Sequence, residues 1–141
     1  MSVDWEKYQQ IHETAVKQTY SEIVLDHGRN PRNLGDLEEH NTFGIVIGPC
    51  GDTMAIWLKV EDGIIVEISF TSDGCMTSLA AGSMATELAR GKTLIDTQKL
   101  SQQDVLDSLG GLPEESEHCA LLAVDTLKEA IRNYQSMKRN P

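Results

Sequence analysis

Between Thr53 and Glu61 the chain alternates, with Met54, Ile56, Leu58 and Val60 on one face and Thr53, Ala55, Trp57 and Lys59 on the other. A period of two marks a half-buried β-strand, because successive side chains of an extended chain point to opposite faces. Asp62-Gly63 follows, a dipeptide that supplies the positive backbone angles of a tight hairpin. Ile64, Val66, Ile68 and Phe70 then repeat the alternation, and Thr42 to Ile47 reads as a third strand. The middle of the chain therefore predicts an antiparallel meander.

The flanks carry a longer period. From Asp4 to Asp26 the residues Tyr8, Ile11, Ala15, Thr19 and Ile23 recur at three- and four-residue steps, the spacing of one or two amphipathic helices. Gly28 and Pro31 are expected to end that region, and Arg29 to His40 reads as a surface loop. Beyond Phe70 the pattern turns helical to the end. Met76 to Arg90 stops at Gly91, Ser101 to Leu109 at Gly110-Gly111, and Glu117 to Tyr134 carries Ala120, Ala123, Val124, Leu127, Ile131 and Tyr134 on one stripe. Helices before and after an uninterrupted run of strands predict an α+β fold: a three-stranded antiparallel sheet covered by helices, with an amino-terminal helical segment and a carboxy-terminal helical region.

At 141 residues and 40% hydrophobic content the chain suits one domain with a modest core. A formal net charge of -10 repels phosphate backbones and anionic lipid, which argues against nucleic acid and membrane surfaces as partners. No apolar run is long enough for a bilayer span, and the opening MSVDWEKYQQ lacks the blocks of a signal peptide, so a cytoplasmic protein is expected. Three cysteines are too few for a disulfide scaffold and, in a reducing compartment, point to thiols that react or bind metal.

Each cysteine falls at the edge of an expected element. Cys50 lies in Gly48-Pro49-Cys50-Gly51-Asp52 between the first two strands, Cys75 follows Asp73-Gly74 where the last strand gives way to a helix, and Cys119 opens the last helix. Helix amino termini favour the thiolate, the form that binds metal. Asp52, two residues after Cys50, is expected to project to the same side, and His118 adjoins Cys119. Three sulfurs with an oxygen and a nitrogen as candidates for a fourth place suit zinc or iron. Each cysteine taken singly is equally well read as a small buried hydrophobe. Asp73 reads as a turn or cap residue, His12, His27 and His40 as surface residues, Ala80-Ala81-Gly82-Ser83 as a close packing surface, and Met54 and Met84 as core.

The segments YSEIVLDHGRNPRN (Tyr20 to Asn33), GPCGDTM (Gly48 to Met54), SDGCMTSLAAGSMATELARGKTL (Ser72 to Leu94) and EHCALLAVDTLKEAI (Glu117 to Ile131) resemble the IscU/NifU amino-terminal family of iron-sulfur cluster assembly scaffolds. The resemblance implies a scaffold domain over residues 20–141 behind a helical extension, residues 1–19. It implies that Cys50, Cys75 and Cys119 hold a nascent [2Fe-2S] cluster, or zinc in its absence, that Asp52 makes the cluster labile, and that His118 is an alternative ligand. Cys119 is by the same resemblance the acceptor of persulfide sulfur from a cysteine desulfurase. The partners implied are that desulfurase, apo-protein acceptors of the cluster and, through contacts at Tyr20, a second copy of the chain. Such a protein is a carrier rather than an enzyme.

Two departures shape the expectation. Many bacterial IscU proteins carry Leu-Pro-Pro-Val-Lys before the third cysteine, the segment a DnaK-type chaperone grips; here it is Leu112-Pro113-Glu114-Glu115-Ser116. The insertion between second and third cysteines that typifies the zinc-dependent SufU sulfurtransferases is missing, which favours a scaffold over a SufU-like sulfurtransferase.

Overall fold

The computed structural model describes residues 19–139. In chain order it contains α1 (Glu22–Arg29), β1 (Thr42–Ile47), β2 (Thr53–Glu61), β3 (Ile64–Ser72), α2 (Met76–Ala89), α3 (Leu94–Gln98), α4 (Gln102–Leu109), a 3-10 turn (Glu114–Ser116) and α5 (His118–Arg139). The strands form one antiparallel sheet in the order β1-β2-β3. The helices lie against it, with α5 across β1 and α2 against β3. This is the expected α+β meander. The helical reading of Asp4 to Gln18 and the surface reading of His12 lie outside the described residues.

Asp62 and Gly63 take φ values of 53° and 75° and turn the β2–β3 hairpin. As expected, Met54, Ile56, Leu58 and Val60 face the core. The alternation expected for β3 holds only in part. The register slips between Lys59 and Val60, so that Lys59 faces Glu67 while Val60 faces Ile65. Val66 is the extra residue of a bulge, and a bulge reverses the phase of side chains on one side of it. Ile65 is therefore fully buried, whereas Ile64 is exposed and Val66 half-buried. On the opposite sheet face β1 exposes Phe43, Ile45 and Ile47.

Gly28 does not stop α1, which runs through it to Arg29 and ends where the Asn30 N–H reaches Asp26 O. The reason for glycine there is packing: a Cβ at Gly28 would lie 2.3 Å from Met76 Cγ. The segment after α1 is more than a surface loop, since Asn33 and Gly35 exchange backbone hydrogen bonds with Phe70 and so extend the edge beyond β3. The pattern of apolar residues missed α3, a helix of five residues, although Thr93 caps it by accepting the Asp96 N–H.

Ala80, Ala81, Gly82 and Ser83 are buried in α2, as expected of a packing surface, and Met54 and Met84 are buried too. A Cβ at Gly82 would sit 2.4 Å from the Phe70 ring, so the missing side chain sets how closely α2 approaches β3. Gly44 does the same for α5, whose backbone at Ala130 lies 2.6 Å from where a Cβ would stand. Thr42 Oγ1 donates to Ala130 O and Asn133 Nδ2 to Phe43 O, fixing α5 along β1. These close approaches bring the first turn of α5 and the start of α2 to the end of the sheet where β1 turns into β2.

Candidate metal centre

Gly48 to Asp52 forms the β1–β2 turn, closed by Gly48 N–H to Asp52 O at 2.8 Å and by Gly51 N–H to Gly48 O at 2.9 Å. Gly51 has φ 91°, a conformation that suits glycine. Cys50 and Asp52 are thus paired by a turn and not by the extended backbone expected. Cys50 Sγ, a carboxylate oxygen of Asp52 and a ring nitrogen of His118 all lie within 4.8 Å of one another. That grouping joins the β1–β2 turn to the amino terminus of α5.

Cys75 is the N-cap residue of α2 and is exposed. Thr77 and Ser78, in the first turn of α2, form the floor of the site. Thr77 Oγ1 lies 3.1 Å from Cys75 Sγ and 3.4 Å from Cys119 Sγ. Ser78 Oγ donates to Asp52 Oδ2 at 3.1 Å and lies 3.4 Å from Cys119 Sγ. Cys119 Sγ is also 3.8 Å from His118 Nε2. Two adjacent hydroxyls therefore link Cys75, Cys119 and Asp52, and His118 connects that set to Cys50.

The Thr77 hydroxyl holds the Cys75 thiol below its ordinary pKa; burial opposes this, the backbone N–H groups of Thr77 and Ser78 assist, and the Asp52 charge opposes. The helix amino terminus thus acts on Cys75 as expected, through oriented N–H groups. Cys119 is at 2% exposure, in contrast to the exposed Cys50 and Cys75.

Asp73 takes the structural role expected of it: Oδ1 accepts the Thr53 N–H at 2.6 Å and pins the end of β3 to the start of β2. His40 is exposed, with Nδ1 2.6 Å from Leu37 O. His27 departs from the surface reading, for its Nδ1 lies 2.7 Å from Ser83 Oγ, which also accepts the Arg32 N–H. The sequence reading missed Thr77 and Ser78. Their signal was a polar pair one residue beyond Cys75, inside the otherwise small and apolar run MTSLAAGSM.

Fold and site together define a small α+β domain with soft and hard ligands gathered at element ends, a candidate metal-handling protein. The chain belongs to the family of the NifU-like N terminal domain, whose family model matches residues 19–140. It is 46% identical over 116 residues to iron-sulfur cluster assembly scaffold protein IscU 1 of Archaeoglobus fulgidus, covering 82% of this chain and 76% of that one. With the Escherichia coli iron-sulfur cluster assembly scaffold protein IscU it shares 40% identity over 124 residues, 84% of this chain and 96% of the relative. Among solved structures, a NifU-like N-terminal protein from Brucella abortus has the same fold at a TM-score of 0.67 and 21% identity, covering 86% of this chain and 97% of the other. No helix of the described residues is long and apolar enough to cross a membrane.

Proposed function

We propose that this chain is a scaffold for de novo assembly of an iron-sulfur cluster, which takes sulfur from a cysteine desulfurase and passes a [2Fe-2S] cluster to apo-protein acceptors. The observation that carries the reading is the shared hydroxyl floor: Cys75, Cys119 and Asp52 meet on Thr77 and Ser78, and Asp52 and His118 stand with Cys50 within 4.8 Å. Kinship with proteins named as IscU scaffolds supports it.

On this reading Cys50, Cys75 and Cys119 are the sulfur ligands, with Asp52 or His118 in the remaining place. Four thiolates would favour retention of a cluster, and a single oxygen or nitrogen donor leaves one position easier to exchange. Zinc occupies the same ligands when no cluster is present. Sulfur arrives when the Cys119 thiolate attacks the outer sulfur of the desulfurase persulfide. A new S–S bond forms on Cys119, the old one breaks, and the desulfurase thiolate leaves. An external electron donor supplies the two electrons that convert each transferred sulfur to sulfide. The protein is a carrier that works in the cytoplasm, where its three cysteines stay reduced.

Anaerobic incubation with ferrous iron, cysteine, a reductant and a cysteine desulfurase tests the proposal. The expected product shows the visible absorption of a [2Fe-2S] cluster and converts an apo-ferredoxin to its holo form. A chain that retains zinc and carries only persulfide under these conditions would be a SufU-like sulfurtransferase, and the scaffold reading would fall.

A further inference from the structure

We propose that Ser78 is a positioning residue for Asp52, holding its carboxylate beside Cys50 and His118 through one oxygen. The inference rests on the metal-binding reading above and deepens it.

Ser78 is fully buried, so water cannot satisfy its hydroxyl. That hydroxyl has one hydrogen, and an ionised carboxylate only accepts, so the 3.1 Å contact to Asp52 Oδ2 uses the single donor. Toward Cys119 Sγ, 3.4 Å away, Ser78 Oγ is left to accept. Two other buried helical hydroxyls behave differently. Thr86 and Thr126 turn back onto the carbonyls of Gly82 and Leu122, four residues earlier, at 2.8 and 2.7 Å. Ser78 instead gives its hydrogen to a side chain 26 residues away.

The backbone around the pair is shaped to let the two meet. A Cβ at Gly74 would lie 2.4 Å from Ser78 Oγ and 2.7 Å from Asp52 Oδ2, so any side chain there would occupy the space in which they touch. Gly74 is itself fixed by its N–H to Ser72 Oγ at 3.0 Å. Engaging Oδ2 presents the carboxylate to a metal mainly through its other oxygen, in a fixed direction. Hydrogen bonds that orient a ligand in this way commonly change metal affinity by about 10- to 100-fold when removed.

Zinc alone is the probe, titrated anaerobically into the reduced chain against a chromophoric chelator, with wild type, Ser78→Ala, Asp52→Ala and the double variant compared. Ser78→Ala is expected to weaken zinc binding about tenfold. In the Asp52→Ala background the same change should have less than about a twofold effect, since nothing is left for Ser78 to orient. Equal affinity in wild type and Ser78→Ala would overturn the assignment. So would a tenfold loss that persists without Asp52, which would place the effect at Cys119, or loss of the metal-free fold in Ser78→Ala, which would make Ser78 a packing residue. In each of these cases the scaffold reading stands. Failure of the wild-type chain to bind zinc at all overturns both.

Discussion

Cys119 Sγ lies 3.4 Å from Thr77 Oγ1, and both side chains are buried. Cys50 and Cys75, by contrast, are exposed. In the reduced, metal-free protein, iodoacetamide should therefore modify Cys50 and Cys75 well before Cys119. The Cys75 thiol is held below its ordinary pKa, chiefly by the Thr77 hydroxyl, so it should react at lower pH than a free thiol, and Thr77→Val should move that onset upward. Peptide mapping by mass spectrometry follows all three residues, and Cys119 reacting first would contradict the arrangement.

Sulfur acceptance at Cys119 requires its sulfur to leave the Thr77–Ser78 pair. We expect Cys119→Ser to abolish most persulfide labelling after incubation with a desulfurase and cysteine, whereas Cys50→Ser and Cys75→Ser retain more. Intact-mass measurement without added reductant reads the adduct. Survival of the adduct in Cys119→Ser together with its loss in Cys50→Ser or Cys75→Ser would move the acceptor to an exposed cysteine.

Asp52 should govern release more than folding, because it sits half-buried in a surface turn. With Asp52 as the fourth ligand of the proposed cluster site, its oxygen would be a hard donor among soft ones and would offer the position most readily exchanged with an acceptor's thiolate. Asp52→Ala should transfer its cluster to an apo-ferredoxin more slowly than wild type under anaerobic conditions. Equal or faster transfer would remove the proposed role.

Burial, aided by the Arg32 charge, lowers the His27 pKa from its usual 6.5, against the opposing pull of Asp26 and Glu87. A group whose folded pKa lies below its unfolded value supports the fold in its neutral state. That contribution is complete above about pH 6.5 and is lost as pH falls toward the lower, folded value. Urea unfolding at pH 7.5 and 5.5 should show a loss of stability on acidification that is smaller in His27→Gln. The same pH dependence in both proteins would remove His27 as a cause.

Gly82→Ala should destabilise the domain by about 1–2 kcal/mol, the cost of overpacking less the gain in helix propensity. The new methyl meets the Phe70 ring, which is itself fully buried and has no free direction in which to yield. A lower urea midpoint with unchanged slope is expected, and an unchanged midpoint would mean that α2 can shift outward at no cost.

The alternation of Met54 to Val60, the Asp62-Gly63 turn and the apolar stripe of the last helix placed the sheet and the main helices directly, because period and turn chemistry are properties of neighbouring residues. The same local logic put all three cysteines at element ends. It could not register the bulge at Val66, since a shift between strands depends on the partner strand, nor the passage of α1 through Gly28, since the reason for that glycine is Met76, far along the chain. The five-residue α3 was too short to show a period. Only the tertiary structure set the exposed Cys50 and Cys75 apart from the buried Cys119, and only it joined Thr77 and Ser78 to the site. Those contacts link residues 26 to 42 positions apart across α2, α5 and the β1–β2 turn. They exist because close helix packing at Gly44 and Gly82 and the open space at Gly74 bring three separate chain segments to one end of the sheet.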